Sequence, residues 1–563
     1  MTKDSFFANF GYLADAPNGV KKLRELILQL AVQGKLVPHD PNDEPASILL
    51  AKIKAEKEQL VKEKKIKKAE PLPAVSSDEI PYELPKGWEW VRLPDITHDC
   101  GQKIPDVEFV YIDVSAIDNK IGAVTDEVTI IQPNDAPSRA RKLVRLGSVI
   151  YSTVRPYLLN IAVIDKEFQP APIVSTAFAV LHPYEGIVGK FLFHYLRSRP
   201  FIDYVEVAMT GMAYPAINDT RLRMGVVPVP PCAEQNRIVT KVDHLLRLCD
   251  KLEKRQQKKN KKLVNLNNAA LNQLFIARET DDFANAWCLI RDNFDFLYTA
   301  PETIGKLRQG ILQLAVMGKL VPQDPNDEPA SVLLKKIAGE KARLIKEGKI
   351  KNQKPLPEIS EEEKPFELPP GMEWARLQRL VFLLGDGLHG TPNFTPGTSY
   401  YFINGNNLNN GRIDIKPSTK TVSLEEMLKH KKYLSPDAVL VSINGTLGNV
   451  AFYSGEEIIL GKSACYFNLS EYVSKHFIRI VIESVYFMSY ALRKATGSTI
   501  KNLSLDAMNN FPVPLPPLAE QHRIVAKVDQ LVKLCDELEA KLIKSQTKSE
   551  KLVEASVKAI GAG

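Results

Sequence analysis

The chain has 563 residues, and its 74 Lys and Arg against 67 Asp and Glu give a formal net charge of +7. This length is too large for one hydrophobic core, so three or more domains are expected, and the mildly basic balance permits nucleic-acid binding without requiring it. No apolar run approaches the ~20 residues of a membrane span, and neither a signal peptide nor a CxxC spacing is present, so we expect a cytoplasmic protein without a zinc site or a disulfide framework.

The first segment of the chain is predicted to be helical, and it occurs twice. Residues 23–50 return at 307–334, with the phrase LAVxGKLVPxDPNDEPAS in both copies. A second helix is predicted to start at Pro45, because proline is favoured in the first turn. The apolar residues of the first helix recur at helical spacing: Leu23, Leu26, Ile27 and Leu30. Lysines crowd the end of the second helix, and they fit either a solvated face or a DNA contact: Lys62, Lys64, Lys65, Lys67 and Lys68.

The next segment of each half, roughly 91–226 and 375–512, resembles its counterpart only faintly. Apolar runs that end in a polar turn predict strands at 149–151 and 439–441, and later strands are predicted at 176–180 and 464–467. We interpret both segments as mixed α/β domains. Two long segments differ while the segments before and after them repeat. We call the repeated segments, 23–50 with 227–253 and 307–334 with 513–539, the two frames, and their similarity indicates that they hold two different binding surfaces.

A long helix is predicted after a proline-rich stop in each half, because residues 227–253 return at 513–539. The 3–4 spacing of apolar residues over several heptads indicates a coiled coil, in which Cys249 and Cys535 are packed thiols. About 40 residues of helix span ~60 Å, and antiparallel pairing would send the two α/β domains to opposite ends. The predicted seam positions are Ile238, Val242, Leu245, Cys249, Leu252, Leu263, Leu266 and Ala270 in the first copy, and Ile524, Val528, Leu531, Cys535, Leu538, Leu542 and Leu552 in the second.

Together these elements predict an α+β chain with a pseudo-twofold internal repeat. Two mixed α/β domains are joined by long helices that form an antiparallel coiled coil. We expect an N-terminal helical block at 1–87, a first α/β domain at 88–231, a helical spacer at 232–292, a repeated helical block at 293–371, a second α/β domain at 372–517 and a second helical spacer at 518–563.

These repeated phrases resemble the specificity subunits of type I restriction–modification enzymes, in the long form with repeated N-terminal helical blocks. The most specific marker is PPxAEQxRIV, which starts at Pro230 and at Pro516. Further phrases of the resemblance lie at 140–144, 147–158 and 175–178 in the first half and at 437–451 in the second. The resemblance covers nearly the whole chain.

The resemblance implies a non-catalytic reader of double-stranded DNA with two target-recognition domains, each of which contacts one half of a split, asymmetric target. The long helices would dock two methyltransferase (M) subunits, and nuclease/translocase (R) subunits would join the assembly. DNA adenine methylation and ATP-dependent cleavage would reside in these partners. The cofactors S-adenosylmethionine, ATP and Mg²⁺ would then belong to the partners, with none in this chain.

The motifs of the partner activities are not found in the sequence. None of the Pro-Pro pairs follows the Asn or Asp that amino-group methylation of a flipped base requires. The stretch 455–463 resembles a GxxxxGK[ST] phosphate loop, but five residues separate its glycines and the following Ala464–Phe467 is predicted to be strand. We therefore predict a shared loop of the DNA face at this position.

Candidate DNA contacts follow from the pairing of Arg with guanine and of Asn with adenine, and from phosphate contacts by basic and hydroxyl side chains. We assign Arg155 and Asn160 to bases in the first domain, while Tyr157 fits either stacking or packing. The phosphate contacts predicted there are Arg139, Arg141, Lys142, Ser152 and Thr153. In the second domain the adenine candidates are Asn404, Asn406, Asn407 and Asn444, and the phosphate candidates are Lys431, Lys432, Thr446, Lys462 and Lys501.

Two other classes of function stay open at this point. A bifunctional enzyme would read DNA and also methylate or cut it, and the purified chain would then be active alone. A coiled-coil scaffold would join proteins without DNA, and its variable segments would bind no duplex. The bases that are read and the spacing of the half-sites do not follow from one sequence.

Overall fold

The computed structural model describes residues 16–66, 72–211, 214–277, 280–436 and 438–562. Lys67 and Lys68 of the lysine cluster lie outside these residues. The chain forms two compact units, residues 1–259 with 546–563 and residues 260–545. Among the described residues, no helix combines the length and the apolar character needed to cross a bilayer.

The first unit begins with the two predicted helices, α1 (Gly19–Val32) and α2 (Ala46–Lys62), and Pro45 is the residue immediately before α2. The strands that follow are β1 (Glu89–Arg92), β2 (Thr97–His98), β3 (Phe109–Ile112), β4 (Ile117–Asp118), β5 (Ala123–Val124), β6 (Thr129–Ile131), β7 (Ala140–Leu143), β8 (Val149–Ser152), β9 (Ile161–Val163), β10 (Pro172–Ser175), β11 (Phe178–Pro183) and β12 (Val226–Val229). The helices are α3 (Leu93–Ile96), α4 (Gly189–Leu196), α5 (Arg199–Ala208), α6 (Asp219–Arg223) and α7 (Cys232–Ile276), of which residues 232–259 belong to this unit.

The second unit repeats this order. Its helices are α8 (Thr280–Asp292), α9 (Phe294–Leu297), α10 (Pro301–Val316), α11 (Ala330–Lys346), α12 (Leu377–Leu380), α13 (Leu424–His430), α14 (Lys475–Glu483), α15 (Val485–Lys494), α16 (Leu505–Asn510) and α17 (Leu518–Ala562), of which residues 518–545 belong here. Its strands are β13 (Glu373–Arg376), β14 (Val381–Asp386), β15 (Tyr401–Ile403), β16 (Leu408–Asn409), β17 (Arg412–Ile413), β18 (Ala438–Ser442), β19 (Val450–Phe452), β20 (Ile458–Leu460), β21 (Ala464–Leu469) and β22 (Pro512–Leu515).

Each α/β domain is built on a central antiparallel sheet with the same arrangement. The order is β2-β11-β8-β9 in the first domain and β14-β21-β18-β19 in the second. Ser152 at the end of β8 lies opposite Phe178, and Ser442 at the end of β18 lies opposite Ala464. The predicted strands at 149–151, 439–441 and 464–467 are therefore confirmed. Of the predicted run 176–180, residues 178–180 belong to β11, whereas 176–177 form the turn between β10 and β11.

The first and last strands of each domain pair with one another, β1 with β12 and β13 with β22. A buried arginine connects each strand pair to the preceding segment. Arg92 donates to Met224 O (2.8 Å) and pairs with Glu79, and Arg376 donates to Asn510 O (2.7 Å) and pairs with Glu363. Equivalent bonds therefore stabilise each α/β domain at the place where its first and last strands pair.

The long helices run antiparallel, as predicted. In the second unit, Lys319 Nζ donates to the carbonyls of Phe275 and Ala277 near the end of α7, and Gln323 donates to Glu520 near the start of α17. The end of α7 therefore lies beside the start of α17, and both helices contribute buried residues to one core.

The repeated N-terminal helices pack on the long helices. Arg24 of α1 pairs with Asp250 and Glu253 at 2.7 and 2.8 Å. In the second unit, Arg308 of α10 pairs in the same way with the equivalent carboxylates Asp536 and Glu539.

The predicted seam is buried or partly buried at most of its positions, including Leu263 and Ala270, and is wrong at Leu266 and Leu552. Cys249 and Cys535 are buried, and burial raises the pKa of both thiols, as expected for packed cysteines. Leu245 and Leu531 are only partly buried. Leu266 and Leu552 are exposed, whereas the next residues, Asn267 and Val553, are buried. An α-helix has 3.6 residues per turn, so a strict 3.5-residue pattern drifts away from the buried face.

Candidate nucleic-acid interface

A closed loop follows strand β8 at one end of the first α/β domain. The amide of Ser152 donates to Asn160 O (3.0 Å), so residues 153–159 leave the sheet and return to it. The loop presents Arg155 and the apolar or aromatic side chains of Val154, Tyr157 and Leu158 to solvent.

A second loop packs against this one. Its residues 210–211 and 214–216 follow α5, and Thr210 and Ala216 bond each other through both amides. The amide of Arg155 donates to Pro215 O (2.9 Å), and the Arg155 guanidinium carbon lies 5.6 Å from the centre of the exposed Tyr214 ring. We call residues 152–160, 210–211 and 214–216 the first loop pair.

The second α/β domain repeats this geometry with other side chains. The amide of Ser442 donates to Asn449 O (2.9 Å), and that of Gly445 donates to Lys501 O (2.9 Å). Thr496 and Asn502 bond each other as Thr210 and Ala216 do. We call residues 442–449 and 496–502 the second loop pair. The backbone of the two loop pairs is therefore alike although their sequences are not.

The turns that connect the neighbouring strands adjoin the loop pairs. In the first domain, Thr153 N donates to Ala177 O and Thr176 N donates to Arg139 O, both at 2.8 Å. In the second domain, Ile443 N donates to Ser463 O (2.9 Å), which places the turn at Lys462 beside the loop and makes Ser463 the counterpart of Ala177. The Ser463 hydroxyl donates to Asn404 Oδ1 (3.1 Å) and accepts from Gly405 N (2.8 Å).

Both loop pairs lack carboxylates. No Asp or Glu occurs in residues 152–160, 210–216, 442–449 or 496–502. Side chains available to solvent on or beside the loop pairs include Arg139, Arg155, Tyr157, Asn406, Asn444, Thr446, Lys462 and Lys501. A surface of this kind accepts a polyanion without repulsion and offers donors to base edges.

Several predicted contacts are placed inside the first domain and are corrected here. Lys142 is 5% exposed, and its Nζ donates to Phe178 O and to Asp219 at 2.7 Å each, so the buried ammonium is already paired with the partly exposed Asp219 carboxylate. Asn160 and Ser152 are buried, and Ser152 Oγ donates to Val154 O. Thr153 Oγ1 donates to Ala177 O. The two hydroxyl groups bond backbone carbonyls of the loop and its neighbouring turn, and the Asn160 side chain is buried.

The remaining corrections concern charged side chains and the Asn-rich turn. Arg141 is partly exposed and donates to the adjacent Ala140 O (2.8 Å). Asn407 is 9% exposed, donates to Asp414 O and accepts from the amide of Asn404, so both asparagines stabilise their own turn. Lys431 pairs with Glu457 at 3.2 Å. Lys432 is partly exposed, and no described contact places it beside the second loop pair.

The sequence reasoning missed the partner loop of the first domain. A pattern was present: Thr210-Gly211 and Thr496-Gly497 each stand 20 residues before the repeated Pro-Pro at Pro230 and Pro516. A dipeptide at the same place in two otherwise dissimilar segments indicates a shared turn. Lys501 was assigned from this region, but Tyr214 was not.

The repeated PPxAEQ marker has a structural explanation. The side chains of Gln235 and Gln521 are fully buried. Gln235 donates to Pro230 O (3.0 Å) and accepts from Val188 N (2.8 Å), which joins the start of α7 to the α/β domain. Gln521 makes the same two bonds, to Pro516 O and from Ser474 N. The marker therefore fixes each long helix to its domain.

Comparison with known proteins agrees with this architecture. The family model of the type I restriction modification DNA specificity domain matches residues 85–261 and 389–546. The chain is 36% identical over 539 residues to the type I restriction enzyme EcoAI specificity subunit of Escherichia coli, which covers 92% of this chain and 90% of that relative. It is 33% identical over 557 residues to the EcoEI specificity subunit of the same species, in an alignment that covers 95% of this chain and 93% of that relative. The chain therefore belongs to the DNA specificity subunits of type I restriction–modification systems, which are non-catalytic and carry no cofactor themselves.

Proposed function

We propose that the two loop pairs read the two halves of one split DNA target. The observation that carries this proposal is their equivalence: two loops closed by equivalent backbone bonds, free of carboxylates, present different side chains. The first offers Arg155, Tyr157 and Tyr214, whereas the second offers Asn444, Thr446 and Lys501. Different side chains on equivalent loops read different bases, so the target is asymmetric.

The division of labour within each loop pair follows from side-chain chemistry. Arg155 suits the two acceptors of a guanine edge, and Asn444 suits the donor and acceptor of adenine. Lys462, Thr446 and Lys501 carry no planar donor pair and suit phosphates, which set the register of the protein on the duplex, and we assign Arg139 to the same role. Asn444 Nδ2 donates to Asn502 Oδ1 (3.0 Å), so its amide is already oriented.

The duplicated frame accounts for the partners that we propose. Arg237 pairs with Asp43 in the first unit and Arg523 pairs with Asp327 in the second, which adds to the ion pairs of Arg24 and Arg308. Two equivalent frames suit two methyltransferase subunits, and nuclease/translocase subunits complete the cytoplasmic assembly. S-adenosylmethionine, ATP and Mg²⁺ act in those partners. We also propose that the chain is divided into six parts, at 1–87, 88–231, 232–292, 293–371, 372–517 and 518–563.

Selection of bound duplexes from a random pool by the co-expressed complex tests the reading function. We expect two short recognised segments of different sequence, separated by positions without preference. Asn444→Ala is expected to change the preference within one segment only, at an adenine. Glu361→Gln, at an 89% exposed position outside the loop pairs and the long helices, is the control and is expected to leave both segments as they are. A complex that selects no sequence would contradict the proposal.

Native mass spectrometry of the same complex tests the partners. Two methyltransferase subunits per chain are expected, since the frame occurs twice. A complex that holds one methyltransferase at saturating concentration would contradict the two-frame interpretation without affecting the result of the duplex selection.

A further inference from the structure

The backbone of Arg155 has a conformation that glycine adopts more readily. Its φ is 48°, in the left-handed region that side chains other than glycine disfavour. The equivalent position of the second loop pair is Gly445, with φ 78°. The two positions are equivalent because each amide donates, at 2.9 Å, to the matching carbonyl of its partner loop, Pro215 O or Lys501 O. The first domain thus keeps an arginine where the fold favours glycine.

A second residue of the same loop also has a left-handed backbone, and in its case packing explains why the residue is not glycine. Leu159 has φ 54° and corresponds to Gly448, with φ 80°. The Leu159 side chain packs against the buried core of its domain, so packing offsets its backbone strain. Arg155 has no such compensation: its side chain is exposed, and it takes part in none of the ion pairs found among the described residues. Its described side-chain contact is the ring of Tyr214.

We propose that Arg155 and Tyr214 form one guanine-reading unit, in which Arg155 contacts the base and Tyr214 is a positioning residue; this rests on the proposed reading function. A guanidinium over an aromatic ring is attracted to the face of the ring. In such stacking, the N–H groups at the guanidinium edge stay free for acceptors. The geometry, with 5.6 Å from the guanidinium carbon to the ring centre, places the guanidinium over the ring before the duplex arrives.

Guanine fits this arrangement better than a phosphate does. A phosphate contact needs a positive charge within reach and tolerates either lysine or arginine in many orientations. A guanine edge needs two parallel N–H groups in one plane, which is what an oriented guanidinium supplies. Tyr214 itself is 72% exposed and lies between Thr210 and Ala216, whose backbones bond each other, so its ring is accessible to DNA.

The test uses the assembled complex with its selected target and a panel of duplexes that each carry one base-pair change. Arg155→Gly is expected to weaken binding to the target by about 10-fold or more and to abolish preference at one G·C pair. Its thermal stability is expected to be unchanged or higher, because glycine relieves the strain. Arg155→Lys is expected to keep the dependence of binding on salt and still lose that preference.

Tyr214 is tested on the same panel. Tyr214→Phe keeps the ring and is expected to keep the preference at this G·C pair, whereas Tyr214→Ala is expected to reduce it several-fold. Unchanged preference in Tyr214→Ala would overturn the positioning role, and full preference in Arg155→Lys would make Arg155 a phosphate contact. If the wild-type complex selects a target but Arg155→Gly retains every preference, this inference fails alone. If the wild-type complex selects nothing, the reading function fails as well.

Discussion

Replacement of Glu363 by glutamine tests how the second recognition domain is held at its base. The Glu363 carboxylate accepts two bonds from the buried Arg376 guanidinium, at 2.7 and 2.8 Å. Arg376 also donates to the carbonyls of Pro357, Glu358 and Asn510. The pair therefore connects the segment before β13 to the turn before β22. Glu363→Gln removes the negative charge and one of the two acceptors while it keeps the shape.

The expected loss of stability follows from the carboxylate's pKa and exposure. The bonds from Arg376 lower the pKa of Glu363 from its usual 4.5 to about 2. At 1.36 kcal/mol per pKa unit this corresponds to at most about 3 kcal/mol. The Glu363 side chain is 32% exposed, so solvent screening reduces the expected loss to about 1–2 kcal/mol. The loss stays below the 3–5 kcal/mol of a fully abandoned buried charge, because Arg376 keeps three carbonyl partners.

The pH dependence has a definite sign. A carboxylate whose folded-state pKa is depressed stabilises the fold above its unfolded pKa of about 4.5, and this contribution is lost as the pH falls from there towards 2. Urea denaturation should therefore separate wild type from Glu363→Gln at pH 7, and the two free energies of unfolding should approach each other near pH 3. Glu361→Gln, at an 89% exposed position, is the control and should change little. Equal stabilities at pH 7, or a difference that does not shrink in acid, would refute the reasoning.

Three further predictions concern buried groups. Lys142→Ala should lower the thermal stability of the first unit, because it leaves the Asp219 carboxylate without its cation; a normal melting temperature together with weaker DNA binding would restore the phosphate role. Leu271→Ala, in the core beside Gly310, should cost about 2–5 kcal/mol in denaturant titration, whereas Leu266→Ala on the exposed face should cost little, and equal losses would contradict the observed seam. Burial raises the pKa of Cys465 to about 12, so mass spectrometry after alkylation at pH 8 should find this thiol unmodified until denaturant is added; rapid labelling of the folded chain would contradict it.

The frame of the molecule could be predicted because it depends on local patterns that occur twice. Helical spacing, proline before a helix and apolar runs that end in polar turns are each decided within a few residues. Because each pattern occurs in both halves of the chain, a chance match is not a sufficient explanation for it. The same reasoning found the strand before Ser152 and the strand before Ser442, and with them the Arg155 and Asn444 loops.

The errors concern residues whose environment depends on distant parts of the chain. Lys142 pairs with Asp219, which is 77 residues away, and the sequence around Lys142 does not predict this ion pair. Asn407 looks like an exposed adenine reader in an Asn-rich stretch, but it bonds its own turn. The loop that carries Tyr214 meets Arg155 across 59 residues, and a contact of this kind is set by the sheet and not by spacing.

The internal repeat separates two kinds of constraint on this chain. In the frame, equivalent contacts survive changes of side chain: His39 Nδ1 lies 2.8 Å from the buried Glu234 carboxylate, and Gln323, at the equivalent position, donates to the buried Glu520. In the loop pairs, the equivalent contacts are backbone bonds, such as those of Arg155 and Gly445, and the side chains are left unconstrained by them. A loop whose position depends on its amides can change its side chains without moving. Under the reading function that we propose, a new target sequence can therefore arise by substitution within a loop pair, whereas the frame must keep its buried bonds to hold either loop pair in place.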